Sequence, residues 1–220
     1  MKSSRSRAGR AKPAPALDER SFAAALRALG ARDEKIAAML AVCGAPPLRR
    51  REAGFAGLCW IVVGQQVSTA SAQAIFARLE AGFPGLDPAR IAHADDEALR
   101  ACGLSRPKVK TLRILAGAVV DGALDFAALA AMDAQEAHAA LCAHHGIGPW
   151  SADIFLLFSL GCADAFPAGD LALQEAARLG LNLRARPDAR RLTKIAERWR
   201  PHRGVAAHVL WAYYKARLGR

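Results

Sequence analysis

The chain has 220 residues, 53% of them hydrophobic, and its 31 lysines and arginines outnumber 20 aspartates and glutamates for a formal net charge of +11. That length holds one large domain or two small ones around a real interior, and the positive balance favours a polyanionic partner. No run of about 18 uncharged apolar residues marks a membrane span, and five scattered cysteines, mostly in apolar segments, read as reduced core thiols of an intracellular protein.

Residues 1–16 hold Lys2, Arg5, Arg7, Arg10 and Lys12 with no acid, among Ser, Gly, Pro13 and Pro15, and are expected to form a disordered basic tail. Such a tail either adds nonspecific attraction to a polyanion or is solvated without a role. Lacking an apolar h-region, it does not read as a secretory signal, and its Arg and Ser content leaves a transit peptide as the alternative. From there on helix signals dominate. Asp18, Asp33, Asp95 and Asp188 stand before helical patterns as caps, and Gly30, Gly44, Gly82, Gly103, Gly122 and Gly161 stand where helices would stop. Arg106 to Val120 carries Val109, Leu112, Leu115 and Val119 at helical spacing, a core stripe. Ala137 to His145 reads as a helix, Ser151 to Gly161 is apolar enough to be buried, and Leu171 to Leu179 reads as a further helix. No clean alternation marks a strand, so the expected fold is all-α.

Gly146-Ile147-Gly148-Pro149-Trp150, with Asp170 twenty positions past Trp150, is the densest signal. Two glycines around one apolar residue let a tight hairpin bring its backbone close to an outside group. The helix opening at Pro149 points unsatisfied amides the same way, a place where anions bind. Asp170 reads equally as an N-cap of the helix behind it or as a reactive carboxylate beside that anion grip.

Residues 141–153, with Phe166-Pro167-Ala168-Gly169-Asp170 behind them, resemble the helix-hairpin-helix and Gly/Pro-Asp signature of the base-excision DNA glycosylases. Ile61-Val62-Val63-Gly64-Gln65-Gln66-Val67-Ser68, residues 103–112 and residues 199–211 are similar to the DNA-3-methyladenine glycosylase II branch, so the likeness runs from about Gly54 to the C-terminus. It implies two helical subdomains flanking a DNA-binding cleft, one formed by residues 54–164 and the other by 17–53 with 165–220. The extra N-terminal β domain of some members has no room, which implies a compact form.

By this resemblance Asp170 is the catalytic carboxylate, and Trp150 and Trp211 occupy pocket-aromatic positions. Taken alone, each tryptophan reads as core. Ile154 stands where the family has a further pocket tyrosine. In members that also cut the strand, the residue at Trp150 is a lysine nucleophile, so a monofunctional enzyme is expected. Gln66 aligns with the wedge that fills the stack behind a flipped base, within the loop of Gln65 and Ser68; its local reading is an ordinary polar helix end. Gly146 and Gly148 are the expected phosphate grip, with Ser151 and Lys108 nearby. Lys108 and Arg203 read otherwise as surface charges.

The family's hairpin carbonyls also hold a monovalent cation, which here implies those of Cys142, His144 and Ile147. Adjacent His144 and His145 do not suit zinc, the iron-sulfur cysteine loop of some relatives is absent, and no cofactor is expected to be required. The implied partner is double-stranded DNA with alkylated bases, met by a monomer in a cytoplasmic, nucleoid-associated setting. The rival readings are a glycosylase for deaminated or mismatched bases and a noncatalytic helix-hairpin-helix DNA-binding protein.

Overall fold

Short acceptor side chains start most of the helices. The computed structural model describes residues 15–219. Of the basic tail expected over 1–16, only Pro15 and Ala16 are included, both exposed and outside any helix; the remainder lies outside the described residues.

Helix α1 (Glu19–Arg32) opens on Asp18, whose carboxylate accepts from the Ser21 N–H while the Ser21 hydroxyl reaches back to the cap. Asp33 caps α2 (Glu34–Cys43). After a crossing segment come α3 (Phe55–Gly64), α4 (Thr69–Gly82) capped by Ser68, and the short α5 (Pro88–His93) and α6 (Asp96–Ala101), capped by Asp87 and Asp95. Helix α7 (Arg106–Val120) matches the expected span, with Val109, Leu112 and Leu115 buried. Helices α8 (Phe126–Ala131) and α9 (Ala134–Cys142) begin at Asp125 and Asp133. Helix α10 (Pro149–Ile154) runs straight into a wider turn, Phe155–Ser159, where the Leu160 N–H bonds to Phe155 O at 3.1 Å. Helices α11 (Leu171–Gly180) and α12 (Ala189–Ala196) are capped by Asp170 and Asp188, and α13 (Arg203–Leu218) closes the fold. No strand occurs among the described residues, and no helix among them is long and apolar enough to cross a membrane.

Two expected boundaries move. Helix α1 passes through Gly30 and ends two residues later, because the Asp33 N–H closes on Leu29 O while its side chain starts α2. The helix expected to reach His145 ends at Cys142, where the His144 N–H turns to Leu141 O and tightens the chain into the hairpin.

Helix α3 is apolar on nearly every side, with Phe55, Leu58, Cys59, Ile61, Val62 and Val63 all buried, as a central helix must be. It packs against α4, α7 and α10. The N-terminal α2 packs instead against α13 and α11, near the other end of the chain. Trp199, fully buried, fastens that union by donating its indole N–H to Asp33 Oδ2 at 2.9 Å.

Candidate active site

The hairpin between α9 and α10 is built against α7. Gly146 has φ +80, and a Cβ there would run into the Thr111 side chain, so both conformation and space demand glycine. Gly148 differs: its φ of −92 is ordinary, and a Cβ would meet nothing within 4 Å. Its bareness leaves the approach to α10 open. No side chain caps that helix, and Pro149 contributes no N–H.

The loop after α3 is tied to this hairpin. The Gln65 amide donates to Gly146 O at 3.0 Å and to Ser151 Oγ at 2.9 Å. Ser151 is only 3% exposed, so its hydroxyl serves Gln65 and faces the interior. Gln66 follows exposed at φ +56, a left-handed kink that sets it off the helix axis. Ser68 accepts the Ser71 N–H at 3.1 Å as the cap of α4. Lys108 donates to Val63 O at 2.8 Å, linking α7 to the end of α3, and partial burial pulls its amine below the usual lysine range.

Asp170 sits half-buried at the start of α11. Its Oδ1 accepts from the Leu173 N–H at 3.0 Å and the Trp211 indole N–H at 3.2 Å, and its Oδ2 accepts from the Trp150 indole N–H at 3.0 Å. Both sequence-predicted tryptophans therefore converge on the predicted carboxylate. No lysine or arginine pairs with Asp170 among the described residues, so its charge is not neutralised by the protein.

Behind Trp211 lies an aromatic wall that sequence reasoning did not reach. Phe158 stands 5.5 Å and His208 6.1 Å from the Trp211 ring, centroid to centroid. His208 is 1% exposed, bonded through Nδ1 to Gly204 O at 2.8 Å, and burial pulls it down to about 4, so it is the neutral ring. Its Nε2 then accepts the Arg49 N–H at 3.4 Å. The available signals were the Arg49-Arg50-Arg51 run ahead of α3 and the helical spacing of His208 from Trp211.

Arg203 is committed elsewhere. It forks onto Asp164 at 3.0 and 2.9 Å and reaches Glu197 at 2.9 Å. Asp153, three residues past Trp150, is a half-buried carboxyl pushed up to about 7 by desolvation against the opposing pull of Arg203. His138 Nε2 is 3.6 Å from it, beyond hydrogen-bond length. Among the described residues no cluster of His, Cys, Asp or Glu side chains could hold a metal. The backbone oxygens of Cys142, His144 and Ile147 remain as neutral donors; that of His144 already accepts the Ile147 N–H at 3.2 Å, leaving it a second lone pair.

An all-helical chain that sets a hairpin with an open helix start beside one carboxylate has the fold of the helix-hairpin-helix DNA glycosylases. The chain belongs to the family described as HhH-GPD superfamily base excision DNA repair protein, which matches residues 59–201. It is 34% identical over 166 residues to the "Probable bifunctional transcriptional activator/DNA repair enzyme AlkA" of Mycobacterium tuberculosis, covering 68% of this chain and 31% of that one. It thus spans about a third of that relative's length. DNA-3-methyladenine glycosylase 1 of Schizosaccharomyces pombe is 33% identical over 156 residues, covering 68% of each chain. The solved structure of the Schizosaccharomyces pombe 3-methyladenine DNA glycosylase Mag1 with abasic DNA superposes with a TM-score of 0.79 at 28% identity, covering 87% of this chain and 95% of that one.

Proposed function

We propose that this protein is a monofunctional DNA glycosylase that hydrolyses the N-glycosidic bond of flipped alkylated purines, 3-methyladenine and 7-methylguanine, in duplex DNA. The observation that carries this reading is the Asp170 carboxylate, held among the described residues by three N–H donors and no cation. As the base leaves, the sugar gains oxocarbenium character. At ~4 Å and an effective dielectric of about 20, a carboxylate attracts that charge by roughly 4 kcal/mol, worth about a thousandfold in rate. With Oδ1 occupied twice, Oδ2 keeps the freer lone pair to face the sugar or the attacking water.

The hairpin offers phosphate an unobstructed backbone at Gly148, and Gln65 couples that grip to Gln66, the wedge of this reading. The electron-rich faces of Trp150 and Trp211 suit bases that carry a positive charge. Trp150 has no amine to attack the sugar, so water is the nucleophile and an abasic site the product. Residues 54–164 serve as one jaw and 17–53 with 165–220 as the other, acting as a monomer on cytoplasmic, nucleoid-associated DNA and requiring no cofactor. A monovalent cation held by the carbonyls of Cys142, His144 and Ile147 would add positive charge facing the phosphate. The deciding experiment is release of free methylated base, lost in Asp170→Asn while duplex binding persists. Full turnover by that variant, or strand breaks before alkali or heat, would refute the mechanism.

A further inference from the structure

Arg49, Arg50 and Arg51 cross the aromatic wall just ahead of α3. The Arg51 N–H bonds to Phe158 O at 2.8 Å and the Arg49 N–H to His208 Nε2 at 3.4 Å. Phe158 and His208 both contact Trp211, which bonds to Asp170. The segment therefore borders the pocket of the proposed reaction.

Two of its three guanidiniums have partners. Arg50 donates to Ser159 O at 3.1 Å and to Leu17 O at 3.4 Å, and Arg51 lies over the Trp60 ring at 3.8 Å. The Arg49 guanidinium has neither an ion pair nor a hydrogen bond among the described residues. Surrounding protein holds its charge below the ordinary arginine range, yet the residue stays open to water. A partly desolvated cation without a partner is a donor set whose acceptor arrives with a ligand.

We propose that Arg49 is a specificity-determining residue of the base pocket, donating hydrogen bonds to the 6-oxo edge of a flipped purine, so that 6-oxopurines are preferred over 6-aminopurines. This rests on the glycosylase reading. The planar fork matches O6 and N7 of hypoxanthine, and O6 alone where N7 is methylated. A 6-amino group presents donors to donors; the positive charge is common to 3-methyladenine and 7-methylguanine, so the 6-position is what separates them. A neutral purine leaves with negative charge developing on its ring, which a guanidinium stabilises through hydrogen bonds without surrendering a proton. Arg49 thus supplies the leaving-group donor that deaminated bases require.

The test compares wild type, Arg49→Met and Arg49→Lys for release of 7-methylguanine and 3-methyladenine from methylated duplex DNA and of hypoxanthine from a duplex oligonucleotide. In the methionine variant, kcat/KM for 7-methylguanine and hypoxanthine should fall at least tenfold, with that for 3-methyladenine unchanged or raised. Lysine, which keeps the charge and loses the fork, should fall between and reports the role if methionine impairs folding. An equal loss on all three bases, with a shallower salt dependence of binding to undamaged duplex, would make Arg49 a phosphate contact and overturn the proposal. Unchanged ratios in both variants would overturn it as well. A wild type that binds duplex and releases none of the bases would instead refute the glycosylase reading on which it stands.

Discussion

Each indole N–H on Asp170 has a separable consequence at the scale of single residues. Among the described residues Trp150 is the sole donor to Oδ2, whereas Oδ1 keeps the Leu173 N–H if Trp211 is lost. Hydrogen bonds to charged groups contribute about 1.5–3 kcal/mol. Trp150→Phe, which keeps a ring and loses the donor, should therefore lower kcat for base release by about 10-fold to 100-fold, and Trp211→Phe by less. Single-turnover kinetics at saturating enzyme measure the difference; a larger loss in Trp211→Phe would show that ring contact outweighs the N–H. Isosteric replacement by benzothienylalanine, which removes the N–H alone, checks the same point.

Two titrating groups, the half-buried Asp153 and the buried His208, give the stability a pH dependence of opposite sign. Asp153, at about 7 when folded against 3.8, favours the folded state fully below pH ~4, and that contribution is lost as pH rises to 7. His208, at about 4 against 6.5, favours it above pH 6.5, and that contribution is lost as pH falls through 4. Asp153→Asn should raise the unfolding free energy read from urea titration at pH 8, by a few kcal/mol at most, and leave it nearly unchanged at pH 4. An equal shift at both values would show that packing, rather than charge burial, is what Asp153 contributes. In the wild type the two changes oppose each other between pH 6.5 and 4, so the His208 loss should be read on the Asp153→Asn curves, where stability falls across that window.

At the scale of elements, the hairpin separates two uses of glycine. Gly146→Ala meets both a left-handed backbone and the Thr111 side chain, and should cost about 1–3 kcal/mol of stability. Gly148→Ala meets neither and should fold normally. Its added methyl stands where an outside group would approach, so it should weaken duplex binding several-fold at unchanged Tm. Thermal melts and binding titrations together decide; normal binding by Gly148→Ala would remove the hairpin from the DNA interface. Much of this level was legible in the sequence, because caps and glycines act locally. Asp18, Asp33, Asp95 and Asp188 cap the helices they precede. Asp170, readable as a cap or a carboxylate, caps α11 and also receives both indoles. What was not legible depends on distant partners. Ser151 turns inward because Gln65, 86 positions away, returns to it, and no local pattern announces that. Arg49 lies in a segment without periodicity, so nothing in its neighbours shows which wall it crosses.

At the scale of the whole molecule, the two ends of the chain are joined through one carboxylate. Asp33 ends α1, caps α2, and accepts from the Arg198 Nε–H at 2.8 Å and the Trp199 indole N–H at 2.9 Å, 166 positions later in sequence. Burial works against its ionised form, but the donors from Trp199, Arg198 and Ile36 outweigh it and hold the carboxyl below the usual range. Asp33→Ala removes the cap of α2, about 1 kcal/mol, and leaves the fully buried Trp199 N–H without its acceptor, about 1–3 kcal/mol. The expected loss is about 2–4 kcal/mol, or roughly 5–15 °C in Tm for a chain of this size. Asp33→Asn keeps an acceptor for the indole and a usable cap, so it should lose less than half as much. Asp33 bonds to neither Asp170 nor the hairpin, and base release per folded molecule should match wild type in both variants at a temperature where they are folded. A rate loss without unfolding would mean that the joint between the chain ends also sets the position of Trp211 on α13, which packs against α2.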